Sequence, residues 1–280
     1  MVSKVKLFLA VKKLEGASPR TIDCYGRALA KFCMSFQKEP DAITDMDIRM
    51  YMAVQANKGL KKNSLNNTLA PIRVFFQWME DERIIQRSPA KTIKPIKVEK
   101  KIREALNRRE LELLRDACVT LRDKAMVEFF YSTGCRLDEI QQLKKSKLNW
   151  LNRSARVVGK GNVERDVYLN ERAAHRLQLY FNSRTDDEDA IFVSDRKPHK
   201  RLGRRRIEAV FTDLGIKAGI EKPVFPHLLR HTTATNMLRN GASLTDVQKV
   251  LGHSDPATTL IYTDIADEAI QQSHRKYMAG

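Results

Sequence analysis

The chain has 280 residues with 51 Lys and Arg against 34 Asp and Glu, a formal net charge of +17. Its 42% hydrophobic content is enough to build one large or two ordinary domains and excludes wholesale disorder. Gly (12) and Pro (9) are few against an average of about 12% for the two together, which excludes collagen-like and low-complexity architectures and favours long helices.

The basic start MVSKVKLFLAVKKL holds only the short apolar stretch LFLAV, closed by Lys12 and Lys13, too little for a signal peptide. No apolar run reaches the ~18 residues of a membrane span. Ser18-Pro19 pairs an N-cap with Pro at the first helical position, and Ile22, Tyr25, Leu29, Phe32, Cys33 and Phe36 then recur at helical spacing. Thr44 caps a second helix through Ile48, Tyr51, Met52 and Gln55 that stops near Gly59. Asn63 starts a third, with Leu65, Leu69, Ile72, Phe75, Phe76 and Met79 inward; Pro71 inside it predicts a kink or a later start. Pro89–Arg103, PAKTIKPIKVEKKIR, is Pro- and Lys-rich with little periodicity and reads as an extended basic linker. The expected division is a helical domain over 1–90, a linker over 91–104 and a second domain over 105–280.

Asn107 caps the helix RRELELLRDAC, and DKAMVEFFYSTG reads as another ending at Gly134. ARVVGKGNVERDVYL predicts two strands, 155–158 and 163–169, around the turn Gly159-Lys160-Gly161-Asn162. Helices follow at about 171–183 and 204–218 with a short strand IFVS between them. The fold class is therefore mainly α with a small antiparallel β-sheet, in two domains. Four cysteines without metal-ligand spacing read as reduced thiols of a cytoplasmic protein. The charge points to a polyanionic partner, nucleic acid before others, with a merely basic surface as the alternative.

Chemistry concentrates in PHLLRHTTATNMLRNGASLTDVQKVLGHSDPATTLIYTDI, 226–265. Pro226 opens a helix that ends near Gly241, and His227, Arg230 and His231 share one of its faces. Ser243 caps the next helix with Asp246 three residues on; that helix ends at Gly252, so His253 follows its C-terminus. A further short helix starts at Ser254-Asp255-Pro256 and carries Tyr262. HLLRH admits three readings. Zinc lacks the Glu of HExxH and would sit beside a fixed cation. A satisfied histidine with two surface basics is the ordinary case. An anionic oxygen held by several donors suits His and Arg on one face. In YSTGCRLDEIQQL, Arg136 follows a Gly-ended helix at the start of the next, where guanidinium and helix amides can meet an anion, and Glu139 is placed to orient it.

TGCRLDE, VVGKGNVERDV, HLLRH and LGHSDPATTLIYT, in that order, resemble the tyrosine recombinase (lambda-integrase and Xer-like) family, and the helical basic first hundred residues are similar to its core DNA-binding domain. The resemblance implies catalytic positions at Arg136, Lys160, His227, Arg230, His253 and Tyr262, with Glu139 supporting the first arginine and His231 more structural than chemical. Tyr262 is the implied nucleophile, with Tyr277 its one serious rival. Arg136 and Arg230 would clamp the phosphodiester, with His227 the better base and His253 the better donor to a phosphoryl oxygen, roles the two could share, and Lys160 would protonate the departing 5′ oxygen. No cofactor, metal ion or ATP is expected, and no GxxxxGK[ST] occurs. The implied function is site-specific recombination through a 3′-phosphotyrosyl intermediate. Type IB topoisomerase-like relaxation and a non-catalytic DNA-binding module are the alternatives. The implied partners are a double-stranded recombination site gripped by a C-shaped clamp and a homo-tetramer built through the C-terminal tail, the alternative being a tail folded back on its own domain, in the cytoplasm at the nucleoid. RLGRRRIEAV adds Arg204, Arg205 and Arg206 as candidate DNA contacts, a solvated basic face being the alternative.

Overall fold

The computed structural model describes residues 1–36, 38–98, 104–159, 161, 163–252 and 278. The chain forms two compact units, Met1–Lys101 and Ile102–Gly280. Among the described residues no helix is long and apolar enough to cross a membrane.

The first unit is helical: α1 (Val2–Leu14), α2 (Pro19–Met34), a 3-10 turn (Pro40–Ala42), α3 (Asp45–Asn57) and α4 (Lys62–Asp81). Ser18 accepts the Thr21 amide at 3.1 Å, and Thr44 and Asp47 form a reciprocal capping box, so both helices start where the sequence placed them. Helix α1 was not read from the sequence. It buries Phe8 completely, edge-on to Phe75 (centroids 5.4 Å apart), and Phe32 meets Phe76 likewise at 6.0 Å. Helix α4 starts at Lys62 and runs through Pro71, whose ring is buried in the core, so the later start is not taken. Asn66 brackets Ile96 with two 2.8 Å hydrogen bonds, amide to carbonyl and amide to side-chain oxygen, and Ile93 is buried, which fastens the segment after α4 to this unit.

The second unit carries α5 (Arg108–Asp116), α6 (Leu121–Thr133), α7 (Leu137–Gln142), a 3-10 turn (Lys145–Lys147), β1 (Leu148–Asn149), β2 (Ser154–Val158), β3 (Glu164–Tyr168), α8 (Glu171–Asn182), α9 (Arg204–Lys217), α10 (Pro226–Arg239) and α11 (Leu244–Leu251). The sheet is antiparallel in the order β1-β2-β3, with Ala155 opposite Val167 and Val157 opposite Arg165. Ala155, Val157 and Val167 are buried, so this register turns Arg165 toward the core. The main core packs Phe129, Phe130, Leu177, Phe211 and Leu229 between helices and sheet. The expected strand IFVS is not one. Ile191, Phe192 and Val193 are buried, but only single bridges form, Lys144 with Ala190 and Val193 with Arg201; the backbone of the segment bonds to Leu143 on one side and to Lys200 and Leu202 on the other without a continuous ladder.

Helix α6 ends at Gly134 in the left-handed region (φ 58°), and a Cβ there would stand 2.7 Å from Leu251 Cδ2. Glycine is needed for both backbone and space. Gly134→Ala is expected to cost at least about 2 kcal/mol and to lower the thermal unfolding midpoint by roughly 4–8 °C, measured by circular dichroism.

Candidate functional site

Three helix ends and one strand meet around a single carboxylate. Glu139, at the third position of α7, is 4% exposed. It accepts the amide of Arg136 at 2.7 Å, closing the first turn, and the Arg136 guanidinium at 3.2 Å. From β3, Arg165 reaches both carboxylate oxygens in a fork, 2.6 Å to Oε1 and 3.0 Å to Oε2. Burial by itself would raise the Glu139 carboxyl; the Arg165 fork, the Arg136 amide and the two positive charges outweigh it and hold the group below its ordinary 4.5.

Arg230, on α10, is 2% exposed and has no carboxylate of its own among its hydrogen-bond partners in the described residues. It donates instead to the carbonyls of Gly134 (2.7 Å), the residue that caps the end of α6, and Leu251 (2.8 Å), the last of α11. Arg136 donates to the neighbouring carbonyl of Gly252 at 3.1 Å. Helix C-termini carry partial negative charge, so these contacts steady the cations without cancelling them. Burial, then repulsion from Arg136, lowers Arg230 to about 10, although Glu139 pulls the other way. Among the described residues the cluster thus holds three guanidiniums against one carboxylate, with Arg136 its more open member, its side chain 35% exposed. A net positive, largely buried and preorganised set of donors of this kind is suited to an anionic oxygen.

The sequence placed Arg136, Glu139 and Arg230 correctly in relation to helix ends, and the fold brings them together. His227 is exposed and His231 half-buried on the same helix. Lys160, His253, Tyr262 and Tyr277 lie outside the described residues. The candidate DNA contacts divide: Arg205 and Arg206 are exposed, whereas Arg204 is engaged by Asp138 at 2.5 Å and Glu208 at 3.2 Å. No group of three or more His, Cys, Asp or Glu among the described residues is placed to share a metal ion.

One member of the cluster escaped sequence reading, Arg165; the available signal was a charged residue two positions before the inward Val167 on a strand. Gly252 ends α11 as expected, with φ 63°, but its contact was not legible: a Cβ would stand 2.6 Å from Arg165 Nε.

Glu139→Gln removes the one carboxylate and is expected to destabilise the second unit by about 3 kcal/mol near neutral pH. Because the folded carboxyl lies below 4.5, its contribution is full above that value and is lost as pH falls further through the depressed folded one. The gap in unfolding midpoint between wild type and Glu139→Gln should therefore narrow below pH 4.5, as thermal melts at stepped pH would reveal.

Residues 104–269 match the phage integrase family and residues 5–86 the N-terminal SAM-like domain of phage integrases. The chain is 31% identical to tyrosine recombinase XerD of Oceanobacillus iheyensis over 96% of this chain and 95% of that protein. It is 32% identical to tyrosine recombinase XerC of Leptospira interrogans, with coverages of 97% and 91%. Among solved structures it is similar to XerA recombinase (TM-score 0.57, 32% identity, 98% of both chains). Its fold also resembles that of lambda integrase residues 75–356 bound as a dimer to a core site (TM-score 0.76, 17% identity, 92% of this chain and 96% of that one). The chain belongs to the phage integrase family, as a tyrosine recombinase of the Xer type.

Proposed function

We propose that this protein cleaves and rejoins double-stranded DNA at a specific site, through a covalent phosphotyrosyl intermediate on Tyr262, and exchanges strands between two sites. The observation that carries this reading is the buried excess of guanidinium charge around Glu139. A phosphodiester brings one negative charge, and its pentacoordinate transition state concentrates more on the non-bridging oxygens. Fixed donors aimed at that charge accelerate the step because they need no reorganisation. Arg136 and Arg230 fill this role.

In the cleavage step the Tyr262 Oη bonds to phosphorus as the bond from phosphorus to O5′ breaks. The phenolic proton passes to His227, and Lys160 gives a proton to the departing O5′, while His253 donates to a non-bridging oxygen. A free phenol titrates near about 10, so proton removal in step with attack is essential at neutral pH. The phosphotyrosyl ester keeps the energy of the diester it replaced, so attack by an O5′ hydroxyl rejoins a strand without a nucleotide triphosphate. If that hydroxyl belongs to a second duplex, the product is recombinant.

The basic first unit supports a role in holding DNA, with Lys58, Lys61, Lys62, Arg83 and Arg87 all exposed. Phosphate contacts of this kind give an affinity that falls steeply with salt. Assembly as a tetramer through the C-terminal tail and residence at the nucleoid complete the proposal; the tail lies outside the described residues.

Covalent capture tests the reading. The protein is incubated with nicked duplexes from a randomised library, denatured, and the retained DNA sequenced. Wild type and Tyr277→Phe should retain one sequence class, and Tyr262→Phe none. Retention by Tyr262→Phe with loss by Tyr277→Phe would reassign the nucleophile, and absence of any adduct would favour a non-catalytic binding role. On the captured sequence, Arg136→Ala or Arg230→Ala should slow single-turnover cleavage by about 10²–10³-fold.

A further inference from the structure

Arg165 is assigned no step in the chemistry proposed above, yet it forks onto the carboxylate that holds Arg136 and packs against Gly252. We propose that Arg165 is a positioning residue: it locks the β2–β3 hairpin, and with it the turn bearing Lys160, in register with the arginine pair that receives the phosphate. The inference rests on the recombinase reading and adds to it a residue that sets alignment between two catalytic functions.

The argument begins with strand register. Pairing of Val157 with Arg165 turns a guanidinium toward the core, where an unpaired charge would be costly. The cost is met by the fork onto Glu139, whose two oxygens lie 2.6 and 3.0 Å from Nη1 and Nη2. The same carboxylate holds the Arg136 amide and guanidinium, so hairpin and clamp share one anchor. The hairpin end is held as well. The Gly159 amide donates to the Val163 carbonyl at 2.8 Å, and a Cβ on Gly159 would stand 3.5 Å from Glu139 Oε1 and 3.9 Å from Arg165 Nη1. Gly159 immediately precedes Lys160.

The other side of the same side chain packs on the end of α11. A Cβ on Gly252 would stand 2.6 Å from Arg165 Nε and 2.7 Å from its Cδ, and Gly252 immediately precedes His253. Nε is buried with no hydrogen-bond partner among the described residues, so on that side the contact is one of shape. Arg165 therefore borders the residues just before both Lys160 and His253, and reaches Arg136 through Glu139. A lysine would keep the charge but not the planar fork that fixes two oxygens at once. General acid catalysis is typically worth about 10²–10⁴-fold, and a displacement of about 1 Å can forfeit about 10²-fold of such a gain.

The discriminating measurement is single-turnover cleavage of the captured duplex with two leaving groups: the natural O5′, and sulfur in its place as a 5′-bridging phosphorothiolate, which departs without a proton. Arg165→Lys and Arg165→Gln are compared with wild type in the full chain. The expected result is cleavage of the oxygen substrate about 10–100-fold slower, with the sulfur substrate within about threefold of wild type. Arg136→Ala, which removes charge from the phosphate itself, should slow both substrates alike. Equal slowing of both by the Arg165 variants would make Arg165 part of the phosphate clamp or of general stability, and unchanged rates on both would make it dispensable; either overturns the proposal. If Arg165→Gln does not fold, as far-ultraviolet circular dichroism would show, Arg165→Lys decides the matter by the same ratio. Failure of wild type to form an adduct with either substrate would instead remove the recombinase reading on which the inference stands.

Discussion

The second unit is organised around a surplus of buried positive charge that must be held without being neutralised. One carboxylate, Glu139, serves two guanidiniums, and the third, Arg230, relies on carbonyls at the ends of α6 and α11. A second carboxylate would make the cluster more comfortable and less useful, since an ion pair satisfied internally has little left for a substrate anion. Dipolar carbonyls solve the conflict: they lower the cost of burying Arg230 while leaving its formal charge intact. The depression of Arg230 to about 10 records the tension that remains.

This requirement explains why the glycines sit where they do. Gly134 ends α6 in a left-handed turn and presents its carbonyl to Arg230; Gly252 ends α11 likewise and presents its carbonyl to Arg136. In both cases a side chain would collide with a neighbour of the cluster, Leu251 in one and Arg165 in the other. Helix termination, close packing and charge placement are thus met by one residue type at each position.

The parts of this arrangement that were legible in the sequence are those set by neighbours a few residues apart. Ser18, Thr44, Asn107 and Ser243 each cap a helix by accepting an amide three residues on, and each announced its helix. Arg136 and Glu139 belong to the same local class. Helix α1 was harder because Val2, Leu7 and Leu14 are exposed apolar residues that blur its inward face. IFVS is a largely buried apolar run whose backbone bonds only briefly to Leu143, Lys200 and Leu202, and composition alone does not report how long a pairing lasts. Arg165 lies 26 residues from Glu139, and its direction depends on hairpin register, which a fold supplies and a motif does not.

The cysteines have a practical consequence. Cys135 stands between Gly134 and Arg136 with its thiol pushed up to about 12 by burial, and Cys118 is held at about 12 in the same way. Cys33 is buried and raised too, which leaves Cys24 on α2 as the exposed thiol. Thiolates, not thiols, react with maleimides. The native chain therefore offers a single attachment point for a fluorophore, on the helical unit and outside the arginine cluster, so that docking of this unit onto DNA can be followed optically without any engineered cysteine.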